Sequence, residues 1–280
     1  MTIRNGEYIL NPGDKLEGDE LLISCIAWFK NDVLHREDGP AIEWSNGSKK
    51  WYLNGKLHRK DGPASEYSDG TKCWYQNDLP HREDGPAVED ADGTRIWYLN
   101  GIEHRVGGPA VEEANGDKEW YLNGILHRED GPAAEYAAEK QWYLNGILHR
   151  EDGPAIEFED GSQHWYLNGK LHRKDGPAVD EADGTKEWYL NGVHQRGIGP
   201  AVIEADGSKV WYLNGEIIKR QDSPEAALTK LDDHELEEMS KLVDNVVKVF
   251  GDPKVVEMSN LINRIKSLRN SSINETNLKP

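Results

Sequence analysis

Tryptophan recurs through this chain with a fixed period. It stands at Trp28, Trp51, Trp74, Trp97, Trp120, Trp142, Trp165, Trp188 and Trp211, 23 residues apart except for one gap of 22. Nine of the ten tryptophans share the register, Trp44 being the exception. Aligned on it, the unit reads W-Y-L-N-G-x-L-H-R-x-D-G-P-A-x-E-x-x-D-G-T-K-x, and Gly-Pro-Ala occurs eight times. Such self-similarity marks a repeat architecture, in which each copy is unstable alone and gains from its neighbours.

Turn chemistry identifies the unit. Asn-Gly after an aromatic, apolar run, as at Asn54-Gly55, Asn123-Gly124 and Asn168-Gly169, is a strong hairpin signal, because both central residues of a type I′ turn need positive φ. A second turn follows at Asp69-Gly70, Asp92-Gly93, Asn115-Gly116 and their equivalents. Two turns per unit leave two strands. The expected fold class is therefore mainly β: an elongated, curved antiparallel meander of about nine 23-residue β-hairpin repeats, with a C-terminal α-helical hairpin.

A two-residue loop at Asn54-Gly55 sets Leu53 against Lys56, Tyr52 against Leu57 and Trp51 against His58. Alternation then puts Trp51, Leu53 and His58 on one face and Tyr52, Leu57 and Arg59 on the other. The same register sets Glu119 opposite Arg128 and Glu187 opposite Arg196. The Gly-Pro-Ala step predicts a bend or bulge, since proline cannot donate to the ladder. In the 22-residue unit the missing residue falls at Ala137-Ala138-Glu139, inside the second turn, so the strands keep their register. Trp51, Trp74, Trp97, Trp120, Trp142, Trp165, Trp188 and Trp211 are assigned the structural role, each burying on the order of 150–250 Å².

The array has ends of a different kind. Residues 1–27 read as N-terminal capping strands, with Tyr8-Ile9-Leu10 and Leu21 to Ala27 around a hairpin; residues 28–221 form the repeats. Residues 222–280 change period from 2 to 3.6: Ser223-Pro224 starts a helix, and Asp233 or a neighbour caps a longer one. Its stripe is Leu236, Met239, Leu242, Val243, Val246, Val247 and Phe250; Gly251-Asp252-Pro253 ends it. A second stripe runs Val255, Met258, Leu261, Ile262, Ile265 and Leu268, with a polar tail expected to fray after about Asn270.

Charge narrows the function. With 51 acidic and 33 basic side chains the net charge is −18, which argues against direct nucleic-acid binding through the phosphate backbone. Two cysteines make no disulfide framework, no apolar run reaches the roughly 20 residues of a membrane span, and no secretory leader is visible. The expected compartment is cytoplasmic.

The unit resembles the MORN repeat, most closely its variant form, in which hairpins of some twenty residues rich in aromatic-x-x-Asn-Gly stack into one long sheet. The resemblance spans about residues 28–215; the Asn-Gly turn, the aromatic before it and the second Gly-containing turn match. Where the usual motif has Gly-x-Gly, this chain has Arg-x-x-Gly-Pro-Ala. Repeats of H-R-E-D-G-P-A are also similar to those of phages and large DNA viruses. The resemblance implies scaffolding, dimerisation or partner binding, membrane association in some members, a bacterial or virus-infected cell as the setting, and no catalysis.

Candidate sites follow the files of repeated residues. The histidines from His35 to His172 sit about 10 Å apart along such a sheet, too far to share one metal ion, and are read as cross-strand partners of tryptophan. Arg59, Arg82, Arg105, Arg128, Arg150 and Arg173 are candidate partner-binding residues, although pairing with the aspartate file between adjacent units is the favoured role. On the helices, Leu242, Val246, Leu261 and Ile265 are candidates for partner docking or for a homo-oligomer. Val106-Gly107 and Ile198, which replace the usual acid-containing segment, point to a specialised patch. No nucleophile elbow, phosphate loop, His-Glu-x-x-His or Cys-x-x-Cys occurs, and no cofactor or metal is expected. The expected function is a non-enzymatic protein-binding scaffold; the alternative is a phage-encoded inhibitor that occludes a host defence or nucleic-acid-binding protein with an acidic surface.

Overall fold

The computed structural model describes residues 4–16, 19–20, 22–250 and 253–276. Leu21 and the Gly251-Asp252 step, assigned above to a strand and a helix stop, lie outside them. The chain forms two compact units, residues 1–170 and 171–280. Both carry an antiparallel meander, and the second adds three helices.

In the first unit Gly6–Leu10 pairs with Cys25–Lys30, which pairs on its other side with Val33–Leu34 and Ile42–Trp44. Leu16, Cys25, Ala27, Phe29, Leu34 and Ile42 make the buried cluster at this end, and Trp44, the tryptophan out of register, packs against it. From there each repeat adds two short strands. Val111–Glu112, for example, pairs with Lys118–Glu119 across its own Asn115-Gly116 turn and with Arg95–Ile96 of the repeat before.

Direct opposition along this sheet gives one file that alternates in charge, Glu66–Lys72–Glu89–Arg95–Glu112–Lys118–Glu135–Lys140. The neighbouring file runs Ser65–Cys73–Val88–Ile96–Val111–Glu119–Ala134–Gln141, uncharged but for Glu119. A one-residue slip would exchange the two files and set charge in the interior, so the alternation pins the register. The short unit keeps it: Ala134 faces Gln141 and Glu135 faces Lys140 around the contracted turn.

The Asn-Gly hairpins leave the main sheet. In the repeats from Trp51 to Trp188 the ladder splits at the tryptophan: Trp120 N–H donates to Ala133 O at 2.7 Å, while Trp120 O accepts from His127 N–H at 2.9 Å. Beyond that point Tyr121–Leu122 and Ile125–Leu126 form a separate two-stranded ribbon. The expected pairs Tyr52–Leu57 and Leu53–Lys56 are present, and the turns have the required geometry, with φ 53° at Asn54 and 78° at Gly55. Asn77-Asp78 makes the same turn with φ 53° and 71°, with aspartate where most of the hairpins carry glycine. Successive ribbons are joined by Gly146 N–H to Leu126 O at 2.8 Å and by Asn145 N–H to His127 Nδ1 at 3.1 Å. At the other edge Asp92 Oδ1 accepts from Thr94 N–H, and Thr94 Oγ1 accepts from Ala114 N–H of the next repeat.

The most buried residue of each repeat is the alanine of Gly-Pro-Ala, not the tryptophan. Ala64, Ala87, Ala110, Ala133, Ala155 and Ala178 have no exposed surface, whereas the tryptophans of the file are half-buried. Each such alanine lies between neighbouring strands: Ala133 O accepts from Trp120 N–H, and Ala133 N–H donates to Gln141 O at 2.8 Å.

In the second unit Lys209–Leu213 pairs with Glu216–Gln221, and a bulge shifts the register between Trp211 and Tyr212. Glu216–Gln221 is exposed throughout; the bulge, Lys219 and Arg220 are the devices that keep such an edge from pairing with another chain. Ser223 Oγ accepts from Ala226 N–H at 3.0 Å and caps helix α1, Pro224–Thr229. Helix α2, Asp233–Phe250, is capped by Asp232 and Glu235, whose side chains accept from each other's backbone N–H at 2.7 and 2.9 Å. Helix α3, Pro253–Thr276, runs past Asn270, because nothing from Leu268 to Thr276 breaks a helix. Leu228, Leu236, Ile262 and Ile265 form the helical core.

Candidate functional site

Each repeat folds its arginine back onto its own tryptophan. The chain leaves the ribbon after the histidine and bends through Arg-x-Asp-Gly-Pro-Ala, which brings the guanidinium over the indole: Cζ lies 4.1 Å from the ring centroid for Arg128 and Trp120, and 3.8 Å for Arg105 and Trp97. Arg128 Nη1 donates to Pro132 O and to Glu135 Oε1, both at 3.1 Å, and Nε donates to Asp130 Oδ1 at 2.8 Å. Arg36, Arg82 and Arg150 repeat the whole set; Arg59 and Arg105 lack the aspartate bond. Lys219 takes the arginine's place over Trp211, at 4.4 Å.

The close approach explains the glycine of Gly-Pro-Ala. A Cβ on Gly131 would lie 2.8 Å from Arg128 Cζ, so any side chain there pushes the guanidinium off its ring. The guanidinium is held between an indole face and a bare glycine.

Two expectations from strand alternation fail here. Arg59 lies over Trp51 rather than on the opposite face, because the residues after Leu57 are a bend and not a strand. Glu119 does not pair with Arg128: it accepts a hydrogen bond from the Tyr136 hydroxyl, and the arginine takes Glu135. Likewise Glu187 accepts from the Tyr189 hydroxyl and faces His194 Nε2 at 2.8 Å, while Arg196 donates to Pro200 O. Where arginine meets aspartate, the two belong to one loop and not to adjacent units.

What reaches solvent is acid. Arg82, Arg128 and Arg150 are 22% exposed, whereas Asp130 and Asp152 are 86% exposed and Glu129 and Glu151 stand beside them equally open. The arginine hydrogen bonds, and then the guanidinium charge, hold the Asp84 and Asp130 carboxyls below the usual aspartate range. A lowered folded-state value contributes stability that is present above the unfolded value, about 3.9, and is lost as pH falls through the folded one. Thermal melts between pH 5 and pH 2 should therefore fall less steeply for Asp84→Asn/Asp130→Asn than for the native chain; superimposable pH profiles would show that these pairs add nothing.

Open clefts lie between successive loops. One is lined by Arg82, Asp84, Trp97, His104 and Val106; the next by Arg105, Val106, Trp120, His127 and Asp130. Val106 stands between them, 81% exposed. Other titrating groups are held protonated: burial raises the Cys73 thiol to about 11, and burial followed by the charge of Glu103 pushes the Tyr98 hydroxyl up to about 12. Among the described residues no cluster of three or more His, Cys, Asp or Glu could hold a metal ion, and no helix is long and apolar enough to cross a membrane.

The helical candidates divide. Leu242, 68% exposed, and Val246 present themselves to solvent on α2; Ile265 is buried in the helical core, and Leu261 packs against it. The histidines act through a bond that strand pairing did not suggest: Nδ1 accepts the backbone N–H of the asparagine in the next repeat, as in Asn54 to His35 at 3.0 Å and Asn100 to His81 at 3.1 Å. In the repeat that begins at Trp188, Gln195 makes the backbone bond to Trp188 O, and His194 stacks between Tyr189 and Tyr212 at 4.0 and 4.4 Å.

The fold and its loops define a β-hairpin repeat protein with a C-terminal helical pair. No family model matches the chain, and no curated protein matches it.

Proposed function

We propose that this protein is a non-enzymatic binding scaffold, built of MORN-like hairpins, whose loop edge holds a basic protein partner. One observation carries the proposal: the arginines are turned inward onto tryptophan while Glu83, Asp84, Glu129, Asp130, Glu151 and Asp152 project from the same loops. Repeats two strands apart set Glu129-Asp130 and Glu151-Asp152 about 10 Å from each other, and Glu83-Asp84 about twice as far away across the acid-free Val106-Gly107 loop. A row of fixed acids on a rigid ladder attracts a basic surface without the entropy cost of ordering it.

Poly-L-lysine is the probe. Its binding should weaken as salt rises, and neutralising Glu83, Asp84, Glu129 and Asp130 should weaken it at least tenfold at low salt. Neutralising four acids at the opposite turns (Asp69, Asp92, Asp160 and Asp183) keeps the same net charge and should cost far less. Equal losses from the two sets would reduce the edge to a share of the overall charge. The edge also supports the narrower role of occluding a nucleic-acid-binding protein, in which case DNA competes for that partner.

A further inference from the structure

Three histidines of the file lack the glutamate that the other four have, and at one of them the free ring nitrogen is buried. In four repeats the ring Nε2 lies within ion-pair distance of a glutamate two residues on: His35–Glu37 at 3.2 Å, His81–Glu83 at 3.8 Å, His127–Glu129 at 3.9 Å and His149–Glu151 at 3.8 Å. At His58, His104 and His172 the equivalent residues are Lys60, Val106 and Lys174, and what sets His58 apart is the burial of its ring nitrogen. Nδ1 of His58 accepts the Asn77 N–H at 3.3 Å, as in the other repeats, which leaves the ring proton on Nε2. That Nε2 is buried without a hydrogen-bond partner among the described residues. A buried donor left unmatched is costly, and it is uncommon in a native protein.

His58 and Lys60 line a cleft of about 720 Å³. Of the cations that border it, Lys30 pairs with Glu37, Arg36 with Asp38 and Glu43, and Arg59 with Glu66, whereas Lys60 has no ion pair among the described residues. In the two clefts beside Val106 the arginines and acids balance. The cleft at His58 therefore sets an orphan N–H beside an unpaired ammonium, that of Lys60, in a chain that is otherwise strongly acidic.

We propose that this cleft binds a carboxylate, which takes the place at His58 that Glu83 takes at His81. The carboxylate accepts the Nε2 proton in a hydrogen bond and pairs with the Lys60 ammonium, a charge-assisted arrangement. Its source is a small organic acid or an acidic side chain of a bound protein. The site is independent of the acidic edge, since it accepts acid where that edge presents it.

The native protein would be titrated with sodium acetate and, separately, with poly-L-glutamate, each against sodium chloride at matched ionic strength. Histidine-selective ¹⁵N spectra and the melting midpoint would be followed. The expected result is a saturable shift of the His58 Nε2 resonance and a raised midpoint. Response to acetate marks a small-acid site; response to poly-L-glutamate alone marks a peptide-borne acid. Lys60→Glu, an exposed substitution that supplies the internal glutamate, should raise the midpoint by roughly 2–4 °C by itself and abolish both responses. A His58 resonance that moves no more with either carboxylate than with chloride would overturn the proposal, as would undiminished binding by Lys60→Glu.

Discussion

Ala133→Leu should destabilise the protein by about 3 kcal/mol, the upper end of what overpacking a core usually costs. The methyl of Ala133 has no exposed surface, and the backbone on either side of it has no freedom to give way. Its carbonyl is bonded to Trp120, its N–H to Gln141, and the carbonyl of Pro132 before it receives Arg128. Extra methylenes must push neighbouring strands apart or lift the arginine. Ala137→Leu, four residues on in an exposed turn, should stay within about 0.5 kcal/mol of the native chain. Urea denaturation of both variants measures the difference, and an Ala133→Leu variant within about 1 kcal/mol of the native protein would deny the alanine its place as the packed centre of the repeat.

Trp120→Ala should cost about 2–3 kcal/mol, less than the roughly 3–5 of a fully buried tryptophan because this indole is half-buried. Some of the loss belongs to Arg128, whose guanidinium lies 4.1 Å above the ring. Arg128→Ala should cost about 1–2 kcal/mol, since it strands the Pro132 carbonyl and Glu135 as well. The double variant should fall short of the sum by about 1 kcal/mol, the size of a partly desolvated cation–π contact. Strict additivity would mean that ring and guanidinium are neighbours without being coupled. Arg128→Lys tests the geometry further: lysine keeps the charge but cannot reach Pro132, Glu135 and Asp130 at once with a planar fork.

Much of the architecture can be read before any coordinates. Positive φ at Asn and Gly is a property of those residues and needs no tertiary context, so the hairpin turns and the pairs Tyr52–Leu57 and Leu53–Lys56 follow from local chemistry alone. The contracted turn at Ala137-Ala138 follows in the same way, because a strand cannot absorb a deletion without turning its side chains over. Period-3.6 stripes and cap residues likewise locate the helices.

The path of the chain from histidine to alanine is another matter. Alternation carries a side chain's direction only as far as the strand lasts, and the strand stops at Leu57, so Arg59 swings over Trp51 and leaves the acids outside. Where that segment goes depends on Ala64, whose carbonyl accepts from Trp51 N–H as the chain enters the next strand, and on a glycine thin enough to lie under a guanidinium. Period and turns are local and survive in a list of residues. Burial, partnership and the outward sign of charge arise only when distant segments share one space.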